Sequence, residues 1–319
     1  MIDVCLLGTG GMMPLEDRWL ASVLIRCNGR MILIDCGEGT QIPLKLCGWG
    51  FKAIDVILFT HYHADHVAGL PGLLLAIGNS GREEPLTLIG PPGIKEVVEG
   101  LTVISPDLPY ALSLFELPDN KICEVSLNDI NLINNINNVN NLAIRSLVLR
   151  SAPVDHRIPC LSYSLELKRQ GKFYAERARM LNIPVKFWKK LQKGETITLD
   201  GRVIYPEMVL GEARKGIKIS YCTDTRPTES IIDFIKDSDL FICEGMYGDN
   251  ENFEKAVQKK HMTFKEAAEL ARKGNVKELW LTHYSPSLKN PEEYIEAVKA
   301  IFANVHAGKD LYKKTITYS

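Results

Sequence analysis

Three imidazoles and a carboxylate fall within six residues at His61-Tyr62-His63-Ala64-Asp65-His66. In a tight loop alternate residues point the same way, so His61 and His63 can face one point. Asp65 and His66, further round the turn, face a second. One short loop can therefore serve two neighbouring metal ions. The whole chain has seven histidines, and three of them stand here, a concentration that core packing does not call for. Imidazole and carboxylate donors without a thiolate suit zinc, and also manganese or iron.

Two ions need further ligands, and His156, Asp224 and His283 are the candidates. The expected division is His61, His63 and His156 on one ion and Asp65, His66 and His283 on the other, with Asp224 bridging them. Two ions about 3.5–4 Å apart would lower the pKa of a shared water and clamp the oxygens of a displaced phosphoryl group. Asp65 is placed to accept the proton of that water. A leaving alkoxide then requires an acid, and His261 in KKHMTF and Glu244 in FICEGM are the candidates. A carboxylate paired with an imidazole keeps it protonated and oriented.

The elements that must position these groups are short apolar β-rich runs. DVILFT leads into His61, KISYCT into Asp224, DLFIC into Glu244 and ELWLT into His283. Functional groups in α/β proteins gather at the ends of sheet strands, so four such endings in one chain point to a common site. Thr223 and Thr225 flank Asp224 and are expected to orient its carboxylate. IDVCLLG reads as a buried first strand, and SVLIRC and RMILIDCG as a strand pair turning at Asn28-Gly29. GTQIPLKLCGW and TFKEAAELARKG read as helices. The Asn-rich stretch NDINLINNINNVNN reads as a hairpin of biased composition without chemistry.

Residues 168–194 stand apart. Lys168, Arg169, Lys172, Arg177, Arg179, Lys186, Lys189, Lys190 and Lys193 face a single acid, Glu176, with Phe173, Tyr174, Phe187 and Trp188 interleaved. The segment lacks the periodicity of a core element and reads as an inserted arm within one domain spanning 1–319.

Composition sets the outer limits. With 45% apolar and 24% charged residues the chain is an ordinary globular protein, and its net charge of −1 means that any nucleic-acid contact must come from a local patch. The eight cysteines form no C-x-x-C pair and mostly lie in apolar runs, which suits buried, reduced thiols. The start MIDVCLLGTGG has no basic segment ahead of its apolar run, and no apolar stretch approaches the roughly 18 residues of a membrane span. No membrane association and a cytoplasmic location are expected.

The sequence resembles the metallo-β-lactamase superfamily and, within it, the ribonuclease Z family of transfer-RNA 3′-processing endonucleases. The resemblance rests on LLGTGG at 6–11, LIDCGEGTQ at 33–41, FTHYHADHVAGLPGLL at 59–74, IGPPG at 89–93, DHRIPCLSY at 155–163 and GETITLDGR at 194–202. It continues in SYCTDTRP at 220–227, CEGM at 243–246, HMT at 261–263 and LTHYSP at 281–286. It implies an α/β fold, a four-layer αββα sandwich, with two zinc ions on the seven residues above. It implies Asp65 as base, and His261 and Glu244 as leaving-group acid and its partner. It also implies a homodimer and a precursor-tRNA substrate cut at its 3′ side, held by a basic arm. Lys172, Lys186, Trp188, Lys189 and Lys190 on that arm, and Arg18 before it, are the expected RNA contacts. Three segments depart from the family pattern: the arm tip Asn182-Ile183-Pro184 lacks a glycine, the loop at 14–19 reads PLEDRW, and Cys243 precedes Glu244. A small phosphodiester is the alternative substrate class for the same metal site, and a non-enzymatic metal-binding protein is a weaker one because no ligand position is missing.

Overall fold

A computed structural model describes residues 1–105, 107–127, 147–249 and 252–318, so the Asn-rich run at 128–141 lies outside the described residues. The first sheet contains β1 (Ile2–Gly8), β2 (Ser22–Cys27), β3 (Arg30–Ile34), β4 (Ile54–Leu58), β5 (Leu86–Gly90), β6 (Leu112–Glu116) and β16 (Lys313–Ile316). Their order is β16-β1-β2-β3-β4-β5-β6. The turn between β2 and β3 is made by Asn28 at φ 51 and Gly29 at φ 80, the left-handed pair that a two-residue hairpin requires. From β3 to β6 the strands run parallel.

The second sheet has the order β15-β14-β13-β12-β9-β8-β7. Its strands are β7 (Cys123–Ser126), β8 (Leu147–Pro153), β9 (Leu161–Arg169), β12 (Arg214–Cys222), β13 (Leu240–Glu244), β14 (Leu279–Thr282) and β15 (Val305–Ala307). β12 to β15 are parallel, and every residue of β13 and β14 is buried, as expected of continuous apolar runs covered on both faces.

Each sheet carries helices on one face. Leu44, Leu70, Leu73, Leu74, Ile94 and Val98 from the helices Gln41–Cys47, Leu70–Asn79 and Ile94–Thr102 pack on alternate residues of the first sheet, among them Cys5, Leu7, Leu33 and Ile57. Ile231, Phe234, Phe264, Ala268, Ala271 and Val298 do the same for Phe241, Cys243, Leu279 and Leu281 in the second sheet. The other residues of those strands, Val4, Leu6, Ile32, Ile34, Ile242 and Trp280, are also buried. A hydrogen bond from Leu161 N to Thr60 O (2.9 Å) and another from Tyr163 Oη to Phe59 O (2.6 Å) tie the two sheets directly. The architecture is therefore the four-layer αββα sandwich. Seven of the eight free cysteines are buried and Cys123 is half-buried.

The chain divides into two compact units, one comprising Met1–Glu166 and Lys218–Thr317, the other Leu167–Ile217 with Tyr318–Ser319. The second contains the basic segment, and here the structure differs from the aperiodic arm expected of 168–194. Helices Ala175–Met180 and Val185–Gln192 and the hairpin of β10 (Ile197–Leu199) and β11 (Arg202–Ile204) enclose a small core of Ala178, Ile183, Leu191, Ile197, Ile204 and Val209. Phe187, Trp188 and Leu191 recur at helical spacing, a rhythm masked in the sequence by the lysines around them.

Candidate metal centre

The C-terminal ends of parallel strands gather the reactive groups. Asp35 follows β3, His61 lies three residues past β4, Asp224 two past β12, Glu244 ends β13 and His283 follows β14. Asp35, Asp224 and His283 sit at φ 59, 50 and 57, a left-handed conformation that turns the chain sharply and aims each side chain into the site. Such backbone costs roughly 1–3 kcal/mol per residue and persists where the surroundings enforce it. Gly11 is part of that enforcement, because a Cβ there would meet His283 Cε1 at 2.7 Å.

The seven residues expected to bind metal converge. His61, His63, His156 and Asp224 bring ligand atoms within 4.8 Å of one another, as do Asp65, His66 and His283. Asp224 joins the groups through its two oxygens. Oδ2 lies 3.6 Å from His61 Nε2 and 3.8 Å from His156 Nε2, whereas Oδ1 lies 3.5 Å from His66 Nε2 and 3.2 Å from His283 Nε2. Asp65 Oδ2 is 3.6 Å from both His66 Nε2 and His283 Nε2. Asp65 is fixed from outside by the Met12 backbone N–H at 2.7 Å.

The outer hydrogen bonds show which ring nitrogens carry protons. Thr60 Oγ1 donates to Asp35 Oδ2 (2.8 Å), so it can only accept from His61 Nδ1 (3.1 Å). His66 Nδ1 donates to the same Asp35 oxygen at 2.9 Å, and His156 Nδ1 to the Lys260 carbonyl at 3.2 Å. In their neutral forms all three rings therefore turn an Nε2 lone pair inward. There His61 Nε2 stands 2.9 Å from His63 Nδ1, and His156 Nε2 3.3 Å from that same atom. His66 Nε2 is 3.2 Å from His283 Nε2. A proton on His63 Nδ1 or His283 Nε2 closes these gaps as N–H···N hydrogen bonds, and with those rings turned to accept, a cation takes the proton's place. Ligands of a tetrahedral zinc, at about 2.0–2.1 Å from the ion, stand roughly 3.3 Å from one another. The residues thus fit two such ions.

The electrostatics agree. Burial works against charge on the His66 ring, yet Asp224, Asp35 and Asp65 outweigh it and raise the imidazole to about 10. That concentration of carboxylates favours a dication in the same place. Burial holds His61 well below the ordinary imidazole range and takes His156 down to about 4. Asp224, opposed by its own burial, is nevertheless kept well below the usual carboxylate range by His283, His66 and His61.

His261 and Glu244 form a pair at the edge of the cluster. His261 Nδ1 is 3.0 Å from Glu244 Oε2 and 4.0 Å from Asp224 Oδ2. Glu244, wholly buried, also accepts Thr225 N (2.6 Å) and Met262 N (3.2 Å). Burial pulls His261 down, but the Glu244 charge and hydrogen bond lift it to about 9. Thr223 Oγ1 donates to Asp224 Oδ1 at 2.7 Å as expected, while Thr225 orients Glu244 instead of Asp224.

Asp35 and Thr60 were not among the sequence candidates. The signal was present, since RMILI followed by Asp35 repeats the pattern of an apolar strand running into a polar, titratable residue seen at the other four endings. Two expected RNA contacts are placed differently. Arg18 is only 8% exposed, and its guanidinium donates to the Leu288 (2.9 Å) and Lys289 (3.0 Å) carbonyls beneath the Tyr284 ring, so it is not free for a phosphate. Trp188, half-buried, donates Nε1 to Ile183 O (2.9 Å) and packs on Phe173 against the core of the smaller unit. Lys172, Lys186, Lys189 and Lys190 are exposed.

Comparison with known proteins places this geometry. The ribonuclease Z of Clostridium acetobutylicum is 54% identical over 318 residues, covering 100% of this chain and 99% of that protein. The chain belongs to the ribonuclease Z family. The ribonuclease Z resemblance thus extends over the strand ends that carry Asp35, Asp224, Glu244 and His283. Over residues 2–180 the chain also belongs to the family described as "Anti-Pycsar protein Apyc1", a match that includes His61–His66 and His156 but stops short of Asp224, Glu244, His261 and His283. Among solved structures, human tRNase Z, short form, aligns with TM-score 0.67 at 23% identity, covering 99% of this chain and 100% of its own. The metallo-β-lactamase fold protein YhfI from Bacillus subtilis aligns with TM-score 0.65 at 17% identity, covering 98% of both chains. The fold is the metallo-β-lactamase fold.

Proposed function

We propose that this chain is a zinc-dependent endoribonuclease that cuts precursor tRNA at its 3′ side and removes the trailer. Full-length identity of 54% to a ribonuclease Z supports the substrate class. The observation that carries the chemistry is the division of the two Asp224 oxygens between two sets of inward-facing ligand atoms. His61, His63 and His156 would hold one ion, Asp65, His66 and His283 the other, and Asp224 both. The ions, when bound, supply Lewis acidity toward water and compensate charge on the phosphoryl oxygens.

The chain's own groups do the rest. Asp65, half-buried and held by Met12 N–H, takes the proton of the attacking water at a carboxylate oxygen. His261, kept protonated by Glu244, gives a proton to the leaving oxygen, and Glu244 is fixed for this by two backbone N–H groups. The exposed lysines at 172, 186, 189 and 190 meet RNA phosphates without reading sequence. Among the described residues no helix is long and apolar enough to cross a membrane. A cytoplasmic homodimer is part of the proposal.

The test is cleavage of an end-labelled precursor tRNA by the zinc-loaded protein, with a chelator-treated control and a small phosphodiester alongside. A single metal-dependent cut at the 3′ side is the expected result. Intact RNA with rapid turnover of the small diester would move the function to a small-molecule phosphodiesterase.

A further inference from the structure

The turn that presents His156 also presents Arg157, a residue with no place in the chemistry described so far. His156 stands between two rings of the site, its centroid 5.1 Å from that of His63 and 5.5 Å from that of His261. The turn is rigid. Val154 N donates to Cys160 O across its base, Asp155 N to Thr225 Oγ1, and Arg226 N to Asp155 O. The neighbouring cations are engaged: Lys260 pairs with Asp155, and Arg226 with Glu266 and the His261 carbonyl. Arg157 alone of the three is exposed with no hydrogen bond or ion pair among the described residues. Its charge nevertheless reaches the site. Arg157 lies near enough to His63 and His261 for its charge to act on both rings.

We propose that Arg157 binds the phosphate of the substrate at the His156 side of the cluster, its guanidinium gripping a non-bridging oxygen of the diester to be cut. The inference rests on the phosphodiesterase reading above. The electrostatic demand is specific. Asp65, Asp224, Asp35 and Glu244 surround the site with four carboxylates, which offset most of the charge two dications would bring. The diester enters with one negative charge and gains a second as the nucleophile adds, so an additional cation beside His156 stabilises the reacting state more than the bound one. A planar fork of donors suits two phosphoryl oxygens better than an ammonium does.

The experiment compares zinc-loaded wild type, Arg157→Ala and Arg157→Lys on precursor tRNA and on bis(p-nitrophenyl) phosphate, reading kcat and KM separately. Orthophosphate affinity is measured by calorimetry on the same samples, and zinc content and Tm are recorded. Arg157→Ala is expected to lose on the order of 100-fold in kcat/KM on both substrates, mostly in kcat, and to bind orthophosphate about tenfold more weakly. Arg157→Lys recovers part of each loss, and Tm and zinc content stay as in wild type. An alanine variant within about twofold of wild type on both substrates, where one lost donor should cost far more, overturns the proposal. So does unchanged orthophosphate affinity, or a loss that follows a fall in Tm or zinc content. A wild-type protein inert toward both substrates overturns the proposed function, and the role of Arg157 with it.

Discussion

Replacing Asp35 by Asn tests the hydrogen-bond logic of the centre without changing its shape. Asp35 is fully buried and accepts three hydrogen bonds: Thr60 N at 2.8 Å on Oδ1, and Thr60 Oγ1 at 2.8 Å and His66 Nδ1 at 2.9 Å on Oδ2. Asparagine has one acceptor end and one donor end. With its NH2 in the place of Oδ2 it can satisfy His66 only if Nδ1 gives up its proton, which moves to Nε2 and removes the lone pair aimed at Asp65, Asp224 and His283. With the amide reversed, NH2 meets the Thr60 N–H, donor against donor, which leaves buried groups unpaired at about 1–3 kcal/mol. Either way the His66 ion suffers. A lost partner behind a metal-binding histidine weakens affinity about 10–100-fold, or roughly 1.4–2.8 kcal/mol. Competition with a chromophoric chelator at fixed pH reads this directly: Asp35→Asn should hold one zinc as wild type does and the second more weakly. Wild-type affinity for both ions in the variant would refute the tautomer assignment and the ligand role of His66.

The remaining predictions concern proton transfer and RNA. Glu244→Gln removes the charge that lifts His261 to about 9, so the ring loses its proton at lower pH. The alkaline limb of kcat for a substrate with a poor leaving group should therefore move to lower pH, while turnover of a p-nitrophenyl ester, which needs no acid, stays level. An alkaline limb that does not move would remove the pair from that role. The triple variant Lys186→Ala/Lys189→Ala/Lys190→Ala should bind precursor tRNA with a log–log salt dependence shallower by up to about 2–3, since each phosphate contact contributes roughly 0.9 for duplex. The same variant should hydrolyse a small diester as wild type does, and equal loss on both substrates would rule out these lysines as RNA contacts.

The candidate metal ligands were legible in the sequence because their chemistry is local in kind even where the contacts are not. Four strand endings announced His61, Asp224, Glu244 and His283, and the sheets place those ends together as α/β topology dictates. What it concealed has physical reasons. Asp35 escaped because a lone acid after a strand is common and its partner His66 is 31 residues away. Arg18 read as a free cation because nothing local shows that the Leu288 and Lys289 carbonyls, some 270 residues on, will face it. Residues 168–194 read as aperiodic because helices of six and eight residues give too short a rhythm to stand out among nine basic side chains. Their core also needs the later hairpin at Ile197–Leu199 and Arg202–Ile204, so the compact unit closes only at Ile217.

The most direct test of a dinuclear centre shared through Asp224 is a zinc titration of the chelator-stripped protein, with the rate of precursor-tRNA cleavage followed at each step. The account predicts that cleavage at a single position rises to its full rate only as the second equivalent binds, and that Asp224→Asn stays inactive throughout. Full activity at one equivalent, or an Asp224→Asn variant that cuts at the wild-type rate, would contradict it.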